Sequence, residues 1–417
     1  MPYLTLDQVD VKGKRVLVRS DLDSPFDKAA KQIMDNERLS EAAKTLRELS
    51  QKGARVVSFG HQARPGKGSF TRMRRHAELL SDYIGKPVTY IDSIHDTRAT
   101  QAIKGMKDGE ILLLENVRFS SEETLELEID KYPTTHMVKD LQPLFDIFVQ
   151  DSFTTAHRAH TSMIGFQRIP NVAGRRFALE VEGIGKAAKH AERPYVMILG
   201  GAKIFDYFSL MDKVLAEGSV DSILVGGLFV DLCLVAKGYD LGKKMEFLKE
   251  TDSLAQKRLL DVVPQVKEYL EKYPKVFVMP EDIAIEVDGK RQEIGIDQLP
   301  TEHMIYDIGS RTAAKYAQVI AAAKTIYLKG PVGMYENPEF ALGSKIVIEA
   351  IASSAGYSLI GGGDSVTVAK MFAPLDKFSH VGLAGGATLK MLAGKKLIAL
   401  DMLEKSYVAS KLQLENP

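Results

Sequence analysis

A single cysteine, Cys233, in 417 residues excludes a disulfide framework and any cysteine-rich zinc site, and it points to a reducing compartment. Net charge is missing too. The 55 lysines and arginines balance 55 aspartates and glutamates, so the protein as a whole offers no field to attract nucleic acid or an anionic membrane. The opening stretch MPYLTLDQVDVKGK has no apolar signal core, and no apolar run is long enough to span a bilayer. A cytoplasmic protein without nucleic-acid or membrane partners is expected. Familiar phosphate motifs are missing as well. GHQARPGKG approaches a P-loop, but five residues separate its glycines, and glycine rather than Ser or Thr follows Lys67. No G-x-G-x-x-G opens a helix, which disfavours a dinucleotide oxidoreductase, and the H-R-D and D-F-G triplets of protein kinases do not occur.

What is present is an ordinary globular composition, 45% hydrophobic and 26% charged, with length for two or three domains. Short β-branched runs recur: RVLVRSDL, ARVVSFGH, EILLLENV and DIFVQDSF early, then YVMILGGAK, DSILVGGLF, KVFVMPEDI, TIYLKGPVG, YSLIGGGDS and FSHVGLAGG. Each is continuous rather than alternating, as strands covered on both faces are. Helical patterns such as LSEAAKTLRELSQKG and RTAAKYAQVIAAAK lie between them. Such alternation predicts an α/β fold with parallel sheets.

Ligands of open α/β sheets bind beyond the carboxyl ends of the strands, and there the halves differ. The early runs end in Asp21 and Asp23, His61 and Arg64, Arg118, and His157 and Arg158, whereas the later ones end in glycine clusters. His157 and His160 could be a metal pair, packed histidines or part of an anion site. The H-x-x-H has no third Cys or His nearby among nine histidines, and arginines after several strands of one sheet favour a carboxylate or phosphate. The glycine clusters are either tight turns or phosphate cradles at helix starts. In GGGDSVTVAKMF, Asp364 could cap a helix or hold Mg²⁺ through water.

Read in order, RSDLDSP, DNERL, GHQARPGKG, LLLENVRF, QDSFTTAHRAH, ILGGAKIFD, KGPVGMYE, IGGGDS and FSHVGLAGGA resemble the phosphoglycerate kinase family along essentially the whole chain. Gln62, Ser24-Pro25 and the tail DMLEKSYVASK resemble its archaeal branch. The resemblance implies two Rossmann-like domains facing a central cleft and closing about a hinge. Residues 1–175 would bind phosphoglycerate, 176–389 the nucleotide, and 390–417 would pack back on the first domain. It implies transfer of phosphoryl from 1,3-bisphosphoglycerate to Mg-ADP, giving 3-phosphoglycerate and ATP, by a monomer or a dimer. Asp21, Asp23, Arg38, His61, Arg64, Arg118 and Arg158 would form the triose site, with His157 and His160 thickening its positive field. Gly201, Ala202, Gly227, Met304, Gly333, Met334 and Glu336 would line the adenosine pocket. Lys203, Gly362, Gly363, Asp364 and Ser365 would meet the phosphates, with Asp364 on Mg²⁺. Arg38 and Lys203 would clamp the migrating phosphoryl, and Gly363, Gly385 and Gly386 would offer helix-start amides.

Several positions depart from the family's usual residues. Asp23 stands in place of Asn, Thr154 in place of a small residue, and Ala384 in place of glycine. Tyr207 takes the place of a second phosphate-binding lysine that archaeal members also lack. Lys329 replaces the Asn of N-G-P; it would either bring a cation towards the nucleotide or face solvent. An alternative reading is therefore a family member that binds ligand without efficient turnover.

Overall fold

The computed structural model describes residues 2–250 and 258–415. The chain forms two compact units, one of residues 1–182 with 396–417, the other of residues 183–395. The division falls within the continuous helix Arg175–Lys189, in place of the 175/176 and 389/390 limits read from the sequence. A continuous helix has no loop at which to mark a boundary.

The first unit is built on a seven-stranded, wholly parallel sheet. Its order is Leu4–Thr5, Asn171–Ala173, Ile147–Gln150, Arg15–Arg19, Arg55–Phe59, Ile111–Leu113, Val88–Tyr90. Successive strand side chains point to opposite faces, and both faces are buried here. Val16, Val18 and Val56 enter one core cluster, while Leu17, Val57 and Phe148 enter the other. That double burial is why the runs are continuous. The last helix, Ile398–Glu415, belongs to this unit. Ala399 donates its N–H to the Ala156 carbonyl at 3.0 Å, and the Asn171 N–H bonds Ser406 Oγ at 2.8 Å.

The second unit carries a six-stranded parallel sheet, ordered Phe277–Val278, Ser222–Val225, Tyr195–Leu199, Thr325–Lys329, Tyr357–Gly361, His380–Gly382. An antiparallel three-stranded sheet, Asp282–Val287, Lys290–Gly295 and Ile305–Ile308, is added to it. The sequence reading did not foresee this sheet.

In each large sheet the strand order reverses direction once. The reversal lies between Arg15–Arg19 and Ile147–Gln150 in one unit, and between Tyr195–Leu199 and Thr325–Lys329 in the other. Loops leaving such neighbouring strands diverge to opposite sides, leaving a crevice at the carboxyl ends. Among the described residues no helix is long and apolar enough to cross a membrane.

Candidate active site

In the first unit the crevice is basic. Asn36 caps the helix Glu37–Gln51, its side chain accepting the Arg38 N–H at 2.8 Å, so Arg38 is held in the first turn. Its guanidinium donates to the Asp23 carbonyl at 2.9 Å and lies 3.7 Å from the Asp21 carboxylate and 3.8 Å from that of Asp23. Asn116 likewise accepts the Arg118 N–H at 3.1 Å, while Arg118 Nη1 donates to the Ala63 carbonyl. Asp23, which stands where the family usually has Asn, organises the surrounding loops. It accepts the Ala63 N–H at 2.8 Å, where Ala63 has φ +55°, and it faces Arg38 and His61.

The charges feel one another. Burial and the neighbouring Arg158 pull Arg118 down to about 10, and burial with Arg64 lowers Arg158. Burial, followed by Arg19 and Arg118, holds His61 well below its ordinary value, so it is neutral. Burial pushes Asp21 up against the opposing pull of Arg38. Crowded, partly desolvated guanidiniums that lower each other's basicity are stabilised by a bound anion. The two histidines flank this cluster, each beside a charged neighbour. His157 Nε2 accepts from Arg158 Nε at 3.4 Å, and His160 Nδ1 lies 3.5 Å from Glu123. Their partners are an arginine and a glutamate, and among the described residues no His, Cys, Asp and Glu cluster fit for a metal occurs.

In the second unit a cavity of about 530 Å³ opens beside the reversal point. Gly201, Ala202, Gly227, Met304, Gly333, Met334, Glu336 and Asp364 all line it. Backbones approach closely here: Gly227 has φ +53°, and a Cβ on it would stand 2.4 Å from the Gly201 nitrogen. Lys203 Nζ pairs with Asp364 at 3.2 Å, and both side chains are more than half exposed. Gly362 and Gly363 lie at the start of helix Gly363–Phe372, and Gly385 and Gly386 at that of Gly386–Leu392. Ser365 differs from expectation. Its fully buried hydroxyl accepts the Gly330 N–H at 2.8 Å and donates to the Gly361 carbonyl at 2.7 Å, which ties two strand ends together and leaves no hydroxyl proton for a phosphate. Tyr207 is buried, its hydroxyl donating to the Gly200 carbonyl.

The sequence model of the phosphoglycerate kinase family matches residues 6–395. The chain belongs to the phosphoglycerate kinase family. It is 40% identical over 406 residues to the phosphoglycerate kinase of Methanothermobacter thermautotrophicus, covering 97% of both chains. The crystal structure of the Pyrococcus horikoshii phosphoglycerate kinase is similar with a TM-score of 0.90 at 35% identity, covering 97% of this chain and 99% of that one. The Coxiella burnetii phosphoglycerate kinase gives 0.78 at 32% identity with the same coverage. The chain is therefore a phosphotransferase of archaeal type, and its two-domain α/β fold with parallel sheets is that of the family.

Two features of this kinase site escaped the sequence reading. Arg19 ends the strand Arg15–Arg19 fully buried, donating to Ser162 Oγ at 2.8 Å, to the Ser20 carbonyl at 2.6 Å and to His61 Nδ1 at 3.0 Å. Buried Glu123 anchors the same loop, accepting from Ser162 N at 2.9 Å and Oγ at 2.7 Å. A charged residue closing an otherwise apolar strand was the available signal. In the cavity wall, buried Lys244 faces Asp231 at 3.4 Å and donates to the Ile305 carbonyl at 2.8 Å; in the run KKMEFLKE nothing sets it apart from the other lysines. Lys329 was expected either to bring a cation towards the nucleotide or to face solvent. It faces the interior rather than solvent, at 5% exposure.

Proposed function

We propose that the first unit binds 3-phosphoglycerate or 1,3-bisphosphoglycerate in its arginine basket and that the second binds Mg-ADP or Mg-ATP in the glycine-lined cavity. The reaction is phosphoryl transfer between the acyl phosphate of 1,3-bisphosphoglycerate and ADP. The observation that carries this reading is the Lys203–Asp364 pair at the rim of an apolar cavity. The cavity suits an adenosine moiety, and a cation and a carboxylate at its edge suit phosphates and their metal.

A single exposed carboxylate, with no clustered metal ligands among the described residues, fits Mg²⁺ that arrives on phosphates and keeps several waters. Asp364 would hold it, and the ion would supply charge neutralisation across the phosphates. The chain's own groups do the rest. The 3-phosphoglycerate carboxylate, with a pKa near ~4, is ionised at neutral pH and needs no general base. Repulsion between two anions is the obstacle, and Arg38 and Lys203 offset it while aligning the groups in line. Because these two residues belong to different units, transfer requires a closed state in which both reach one phosphoryl group, with water excluded from the acyl phosphate.

A coupled assay with purified 3-phosphoglycerate and ATP tests the reading. Wild-type protein turns over at roughly 1–100 per second, and Lys203→Ala abolishes turnover. Wild-type protein that binds both substrates but stays inert would leave the binding-only alternative as the function.

A further inference from the structure

Lys329 is the last residue of the strand at the reversal point of the second sheet. Its main chain is committed, the carbonyl accepting the Gly200 N–H at 2.8 Å. Its side chain runs towards two glycine turns. A Cβ built on Gly362 would stand 3.2 Å from Lys329 Nζ, and one on Gly385 3.9 Å; the absence of side chains there is what admits the ammonium. Gly362, at φ +91°, leads directly into helix Gly363–Phe372, whose first N–H groups have no partners within the helix. Lys203, Asp364 and Asp206 are the charged groups that act on Lys329. Asp364 is already paired with Lys203, and among the described residues Lys329 Nζ has neither a hydrogen bond nor an ion pair.

A largely buried lysine whose ammonium has no protein acceptor loses much of its hydration without recovering a bond. Burial, followed by repulsion from Lys203, lowers the Lys329 pKa, which is the signature of a cation lacking its counter-ion. Phosphate oxygens at the helix start would supply that counter-ion to both lysines. A neutral ligand would not.

We propose that Lys329 is a second phosphate-contacting cation of this kinase, binding the terminal phosphate of Mg-ADP and the phosphoryl group in transfer beside Lys203. The inference rests on the nucleotide reading of the cavity. In the transfer, the bond from phosphorus to the acyl oxygen breaks and a bond from phosphorus to an ADP β-phosphate oxygen forms. The carboxylate leaves with the electron pair, and no proton moves at Lys329, which stays an ammonium throughout.

Calorimetric titration of wild-type protein, Lys329→Met and Lys329→Asn with Mg-ADP and with adenosine tests this. Asn is the residue usual in the family, so that variant is compatible with the fold. Both variants should bind Mg-ADP about 10- to 100-fold more weakly, the order expected for one charge-assisted contact. Adenosine affinity should stay within about twofold, and kcat should fall. Unchanged Mg-ADP affinity and kcat would overturn the proposal, as would a parallel loss of adenosine affinity, which marks a packing role. Should neither variant fold, the Lys329 ¹³Cε resonance of wild-type protein decides: it shifts with Mg-ADP but not with adenosine, and equal or absent shifts overturn the proposal. Wild-type protein that binds no Mg-ADP would bring down the nucleotide reading itself, whereas binding with indifferent variants removes only the role of Lys329.

Discussion

Asp151 follows the strand Ile147–Gln150 and is fully buried, with its Oδ1 accepting the N–H groups of Arg176 at 2.9 Å and Phe177 at 3.2 Å. It thus caps the helix that carries the chain from one unit into the other. Burial pushes its pKa up from 3.8 to about 7 despite those bonds. The folded protein therefore holds this proton more tightly than the unfolded chain does. The resulting stabilisation is full below the unfolded value of 3.8 and is lost as pH rises through about 7. Between pH 7.5 and pH 5.5 this one carboxyl should add about 2 kcal/mol to stability, at 1.36 kcal/mol per pKa unit. Asp151→Asn retains an oxygen for both N–H groups and removes the titration. Urea unfolding of wild type and variant at the two pH values, followed through the transition of the first unit, isolates the term as a difference of differences. The variant should show about 2 kcal/mol less gain on acidification. Parallel pH dependences in the two proteins would refute the reasoning.

Arg38→Ala should lower kcat about 100- to 1,000-fold with Mg-ADP affinity unchanged, read in the coupled assay and by calorimetry. Gly333→Ala puts a Cβ 2.0 Å from Asp307 Oδ1, so thermal melting should show a loss of roughly 1–3 kcal/mol together with weaker adenosine binding. Raising salt from about 0.05 M to about 0.5 M shortens the screening length several-fold; 3-phosphoglycerate affinity should fall while adenosine affinity holds, and equal responses would count against the arginine basket.

The parallel sheets were legible because Leu17, Val57 and Phe148 pack on one face while Val16, Val18 and Val56 pack on the other; only double burial produces unbroken runs. The antiparallel sheet was equally written into the chain. Asp288 and Gly289, at φ +50° and +76°, form a D-G turn that is a strong hairpin signal, yet the alternation beside it is weak because Lys290–Gly295 is largely exposed. The basic and glycine-rich strand ends were legible as candidates because sheet topology brings strand ends together. Arg19 was not, and for Lys329 two orientations stayed open, since whether a strand-terminal cation turns inward depends on what the neighbouring loops leave open. For Lys329 that is two glycines distant in sequence. Ser365 shows the converse: a hydroxyl in a phosphate-like motif can be consumed by the scaffold.

The helix Ile398–Glu415 completes the first unit from the far end of the chain. On the ribosome, the half synthesised first must wait for the last residues before Ala156 and Asn171 find their partners. The half synthesised second has all its strands while the first still lacks a wall. A chain that stops just short of Lys396 would keep every strand of the second unit but leave the first without its closing helix.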